Sequence, residues 1–275
     1  DPAVKWPAEL FRRLLPQRAK AGGGLPEYLA KCISIIVQSS KQVVFDPSSV
    51  IVASKADVVS IVDPNIFTQR IKPLFVWDTN ESAAHYWNAF LWSARISPDT
   101  FANLKSNFIA ALAKPKSLEP RGYEILCQMF LLVELEFDAI EEQETRGIIG
   151  GLSNTAFGYL TSFMRQRLVN SKDGADQYWK QFLEPWLNKF WPRNAQLKTI
   201  ATMSDFSMMS VYCGSSFPEV LDWLENLGLL GETPENSTLL MALDDNSNNN
   251  HEDFIQSSKL ADKFPAHVLK LLSIV

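Results

Sequence analysis

The sequence predicts an all-α protein, built as an irregular HEAT-like helical-hairpin array (an α-solenoid) in one body or two lobes. Three observations predict it. Apolar residues recur at helical spacing along most of the chain, and no alternation of strand and helix patterns points to a parallel sheet. An X-Pro pair opens one amphipathic stretch after another, roughly every 20–45 residues, without any strictly repeating motif. Helices with a single apolar stripe cannot bury it alone, so short connections between them predict hairpins that stack.

The clearest hairpin runs from Trp77 to Ala113. Its second half carries Ser97 at the N-cap, Pro98 at the first helical position and Asp99 in the first turn. There a hydroxyl acceptor, a missing N–H and a negative charge each suit the exposed amides. Behind the cap Phe101, Leu104, Phe108 and Leu112 form one stripe, facing Trp87, Phe90, Leu91 and Ala94 of the first half. Trp87, Phe90, Phe101, Leu104 and Phe108 are predicted to form one buried cluster.

Upstream, Trp6-Pro7 opens a helix with Leu10, Phe11, Leu14 and Leu15 on one face, closed by Pro16 and a break at Gly22 to Gly24. Pro26 opens the next, carrying Leu29, Cys32, Ile33 and Ile36. Residues 42–62 are ambiguous, because their β-branched runs suit short strands while Asp46-Pro47-Ser48 reads as a helix start. The helical neighbourhood favours helices. Asp63-Pro64 repeats that start before Ile66, Phe67, Ile71 and Leu74. Downstream, Pro120 opens a helix expected to reach Phe137, and Gly147, Gly150, Gly151 and Gly158 suggest close helix approach. A further helix spans Tyr178 to Phe190. Then come a helix with Phe206, Met209 and Tyr212, one opened by Phe217-Pro218, a polar tract at 244–253, and a last one opened by Phe264-Pro265 with Val268, Leu269, Leu272 and Val275. Two domains are expected, an N-terminal helical segment at 1–75 and a hairpin-repeat domain at 76–275.

The net charge is −5 with both signs interspersed, which argues against a general nucleic-acid binder. Arg12, Arg13, Arg18 and Lys20, and again Arg165 and Arg167, read as solvated helix faces. No apolar run is long enough to cross a bilayer, and the first residues lack a basic-then-apolar leader pattern. The first residue is not Met, so a piece of a longer chain is expected. Cys32, Cys127 and Cys213 are isolated in apolar sequence and are expected as buried thiols of a cytoplasmic protein.

No constellation carries recognisable chemistry. Three Cys and three His (His85, His251, His267) show no activating context for a Cys–His pair. Gly214 to Pro218 lacks nucleophile-elbow spacing, and the glycines at 147–151 are not a phosphate loop. The 244–253 tract lacks the glycine and terminal glutamate of a calcium loop. His85 has no second ligand one turn away and reads as an interior or boundary histidine. No catalytic, cofactor-binding or metal-binding residues are therefore assigned, and no cofactor is expected. Eight tryptophans is a high number, and beyond core packing some of them suit partner anchoring. The candidates for partner binding are Trp77, Tyr86, Trp92, Trp186 and Trp191.

Phe90 to Trp92 with ISPDTFANLKSNFIAAL, FWPRN at Phe190 to Asn194, SSFPEV at Ser215 to Val220 and DKFPAHVLKLL at Asp262 to Leu272 carry a resemblance. Over the last two-thirds the chain resembles the C-terminal helical region of large bacterial proteins associated with defence against phage. Some of these carry an N-terminal sirtuin-like, NAD-consuming domain. The resemblance implies a HEAT-like sensor, scaffold or regulatory module; the family's catalytic Asn and His belong to the sirtuin-like part and correspond to nothing here. The expected function is non-catalytic protein–protein interaction, with a protein partner or neighbouring domains of the same longer chain. A hydrolase or nucleotide-processing enzyme on an unfamiliar helical fold is the alternative, and an oligomerisation piece a third.

Overall fold

The computed structural model describes residues 24–40, 46–77, 82–93, 95–171, 174–193, 199–230 and 260–274. The regular elements among these residues are helical, with no strand among them. The predicted helix at Leu10 to Leu15, the basic residues from Arg12 to Lys20, the polar tract at 244–253, Ala94, Asn194 and Val275 lie outside the described residues. The chain divides into two compact units, Asp1–Glu141 and Glu142–Val275. The boundary expected at 75/76 falls inside the first unit, where Phe75 packs edge-on against Trp87 at 5.1 Å.

In the first unit α1 (Glu27–Ser40) buries Leu29, Ile33 and Val37. Where it is described, the ambiguous β-branched stretch forms two helices and no strand, α2 (Pro47–Ala53) and α3 (Ala56–Val62), joined by a turn at Ser54 and Lys55. Asp46 caps α2 by accepting from the Ser48 N–H at 3.0 Å, and Pro47 begins the helix, so local start chemistry outweighs strand propensity. Asp63 accepts from the Ile66 N–H at 3.0 Å and starts α4 (Pro64–Ile66). This turn widens into a π segment (Phe67–Ile71) and tightens into a 3-10 turn (Lys72–Phe75). Next come α5 (Ala83–Ser93) and α6 (Pro98–Leu112), where Ser97 accepts from the Thr100 N–H at 3.2 Å as its cap. The unit continues with α7 (Pro120–Leu132), which the sequence extends to Phe137 as one helix. It runs on unbroken to Phe137 as a π segment (Val133–Phe137) and stops at Asp138, whose φ of 49° is left-handed.

Two helices stack on two others in this unit: α2 packs on α5 and α3 on α6. Each contact holds one buried hydroxyl pair, Ser49 with Tyr86 at 3.1 Å and Ser60 with Thr100 at 2.9 Å. The 3-10 turn touches both α5 and α6 and places the fully buried Phe75 ring against Trp87 and Phe90. The predicted cluster then continues edge-to-face from Trp87 to Phe108 at 6.1 Å and from Phe108 to Phe101 at 5.4 Å. Such ring pairs contribute about 0.5–1.5 kcal/mol each beyond the area they bury. The Trp87 indole donates to the Phe75 carbonyl at 3.1 Å, so its one polar atom is satisfied. Gly122 is the glycine that close approach requires, because a Cβ there would strike the Asn88 side chain of α5. By contrast Gly147, Gly150, Gly151 and Gly158 face open space, so close packing is not their role.

The second unit contains α8 (Glu142–Gly151), α9 (Asn154–Ser171) and α10 (Ala175–Tyr178). A π segment (Trp179–Leu183) leads without a break into α11 (Glu184–Phe190), so the helix expected over Tyr178 to Phe190 is continuous and widened in its middle. Its middle is α12 (Ile200–Tyr212), packed on α9 and on α13 (Phe217–Asn226). Every residue from Ser204 to Cys213 is buried, polar ones included. Rings connect across the unit from Trp179 through Trp223, Phe206 and Trp191 to Phe157, with centroid separations of 5.0–6.4 Å. Asp176 accepts from the Ser215 N–H at 3.1 Å and fixes the turn at Gly214, whose φ is 55°. The unit closes with α14 (Leu260–Lys263) and α15 (Pro265–Ile274). On α15 the buried residues are Val268 and Leu271, while Leu269 is 67 % exposed; the predicted stripe is rotated from the observed one.

Candidate functional site

The aromatic candidates divide by burial, and three are corrected. Tyr86 is enclosed with its hydroxyl on Ser49. Trp186 is buried beside Phe190, with ring centroids 5.7 Å apart. Trp191 is held between Phe157 and Phe206 at 5.3 and 5.0 Å. These three rings serve the cores: Tyr86 and Trp186 lie on inward helix faces, and Trp191 turns inward just past the end of its helix. Trp77 is half-buried, with the Lys114 ammonium 5.6 Å above its ring. Trp92, at 59 % exposure, is the exposed one among the described tryptophans. It lies on the far side of α5 from the buried Trp87, Phe90 and Leu91, where a Trp has no packing reason to be.

The polar constellation of the second unit escapes the sequence patterns. Asp205, on buried α12, accepts from the Thr161 hydroxyl at 2.8 Å. Its other oxygen lies 2.8 Å from Nε of Arg165, one turn further along α9. Arg165 is therefore not the solvated residue its basic neighbourhood suggested; it is paired, with its side chain 35 % exposed against 10 % for Asp205. It also lowers the proton affinity of the Tyr212 phenol, against a larger upward push from burial. One charge within the apolar and small run IATMSDFSMMSVY was the available signal. Arg167 turns the other way, its guanidinium 5.5 Å from the Tyr178 ring centroid. Chemically the carboxylate is engaged by a hydroxyl and a guanidinium, which suits holding two helices together better than proton transfer.

Burial pushes the Cys127 thiol up to about 12 and the Cys213 thiol well above its ordinary value, with the Asp176 charge adding to the latter. Both are poor nucleophiles near neutral pH. Cys32 corrects the expectation of burial: it is exposed on α1, one turn from exposed Tyr28 and Ile35. His85 is exposed and not the interior or boundary histidine expected. In the first unit, burial raises the Asp57 carboxyl above its ordinary value although the Arg95 N–H donates to it at 3.3 Å. Among the described residues no three His, Cys, Asp or Glu side chains converge on a metal-sized site. No helix among them is long and apolar enough to cross a membrane. No family model, no curated protein and no solved structure matches the chain.

Proposed function

We propose that the chain is a non-catalytic, cytoplasmic helical scaffold or sensor module of a larger bacterial protein serving defence against phage, as its sequence resemblance implies. Its work is protein–protein interaction, with a partner or with neighbouring domains of the same chain. The observation that carries this is Trp92, a large ring left 59 % exposed on a helix whose other face is fully packed. Helix pair on helix pair, α2 on α5 and α3 on α6, supports the HEAT-like form of the proposal, since stacked hairpins meet in this manner. The engaged state of Asp205 and the raised thiols give the enzyme alternative no poised nucleophile or base among them. The test places a photoactivatable phenylalanine analogue at position 92 of the parent protein in bacterial cells. A discrete crosslinked product, lost when the analogue is moved to exposed Ile200, is expected. No product at position 92, or NAD or nucleotide turnover by the purified chain that a point substitution abolishes, would refute the proposal.

A further inference from the structure

The last helices of the second unit are held differently from the rest. On α15 Val268 and Leu271 are buried, and Phe264, just before it, lies with its ring 6.3 Å from that of Phe217 at the start of α13. At the edge of this contact the Lys270 ammonium reaches both Asp222 at 2.9 Å and Glu225 at 2.5 Å, one turn apart on α13. All three side chains are a third or more exposed. Each partner feels the other: Glu225 and then Asp222 raise the Lys270 ammonium, and Lys270 lowers the Asp222 carboxyl. His267, beside them on α15, adds a weaker pull on Asp222. Outside the contact α15 shows solvent another apolar residue, Leu269. Residues 231–259 separate this helix pair from Leu230 in the sequence, so no short covalent connection ties it to α13.

We propose that α14–α15 is a releasable latch, docked on α13 by the Lys270 fork and the Phe264–Phe217 ring contact, whose release uncovers Phe217 at the start of α13. The physical case concerns relative stability. A helix of ten residues is too short to persist in water by itself, so α15 is ordered by its docking and unfolds when it leaves. Ion pairs on exposed carboxylates are screened by salt more strongly than the Asp205 pairing of α9 with α12, whose carboxylate is only 10 % exposed. Opening at α15 therefore requires far less than opening the interior of the unit, which is how the low-stability parts of a fold are separated from its core. The latch stands whether or not the chain is a scaffold.

Hydrogen exchange followed by mass spectrometry on the intact chain tests it. Raising salt from about 0.1 M to about 1 M shortens the screening length from about 10 Å to about 3 Å. Exchange in α14–α15 and α13 should then accelerate several-fold while α9 and α12 keep their protection. Lys270→Glu should produce at least a tenfold acceleration in the same segments at low salt, since it turns two attractions into two repulsions. Adding Asp222→Lys and Glu225→Lys to that variant should restore the original rates. If α15 exchanges in step with α9 and α12 under salt, or if Lys270→Glu either leaves every segment unchanged or opens the whole unit together, there is no latch.

Discussion

Trp87 in the first unit and Trp191 in the second both sit at the centre of a ring cluster, yet their polar atoms fare differently. Trp87 gives its indole N–H to the Phe75 carbonyl, whereas Nε1 of Trp191 is buried without a hydrogen-bond partner. The contrast extends to the surrounding helices. In the first unit the buried polar side chains at the α2–α5 and α3–α6 contacts are neutral hydroxyls paired with each other. In the second, the central helix α12 buries Ser204, Asp205, Ser207 and Ser210 together, and one of them is charged. Ser210 is satisfied within its own helix, donating to the Ser207 carbonyl at 2.7 Å, while Asp205 meets Thr161 and Arg165 of α9. An apolar core with matched hydroxyls loses stability mainly by cavity formation. A core built round a charge loses it by stranding that charge.

The largest effect should come from the first mechanism. Phe108→Ala removes a fully buried ring between Trp87 and Phe101 and should cost about 3–5 kcal/mol in urea unfolding. A loss under about 1 kcal/mol would show that the rings do not pack as a unit.

The second unit should answer most to its carboxylate. Asp205→Ala leaves Arg165 without its carboxylate while the Thr161 hydroxyl keeps the Gly158 carbonyl at 3.1 Å, at about 1–3 kcal/mol, less than for a fully buried pair because Arg165 is partly solvated. Combining it with Arg165→Met should recover part of the loss. If the double variant is no more stable than the single one, the cost lies in packing and not in the stranded charge.

Replacing each tryptophan by phenylalanine compares the units directly. Trp87→Phe removes a hydrogen bond and leaves the Phe75 carbonyl without it, so it should cost about 1 kcal/mol more than Trp191→Phe, which removes an unmatched donor. Equal losses in calorimetry would mean that the two indoles are equivalent.

At alkaline pH the units should weaken together. Cys127 in the first and Cys213 in the second are held protonated by burial, so their stabilising contribution is complete below the unfolded thiol value near 9. For Cys127 it falls away as pH rises from there towards about 12, because the unfolded chain releases its proton first. One pH unit into that window the loss is at most about 1.4 kcal/mol per thiol. Cys127→Ala should flatten the fall between pH 9 and pH 10 in a series of unfolding curves, and an unchanged slope would contradict the assignment. Smallest of all, Trp92→Ala should shift stability by no more than about 0.5 kcal/mol, as an exposed residue does. A larger change would place Trp92 in the packing of the first unit.

Much of this molecule was determined locally and could be read without a structure. Ser97, Asp46 and Asp63 cap their helices because a short oxygen-bearing side chain before a proline meets the free amides of a first turn, wherever the chain folds. The stripe of Phe101, Leu104 and Phe108 is buried because helical spacing allows it one face only. Tertiary structure alone decided the rest. Helical periodicity says that Tyr86, Trp186 and Trp191 lie on a face but not what lies opposite that face, so it could not separate them from exposed Trp92. Nor could it show that Phe75, from a 3-10 turn, would lie between the halves of the predicted hairpin, or that Arg165 would meet Asp205 from 40 positions away. Partners distant in sequence leave no periodic trace, because their meeting depends on how helices pack and not on how each one turns.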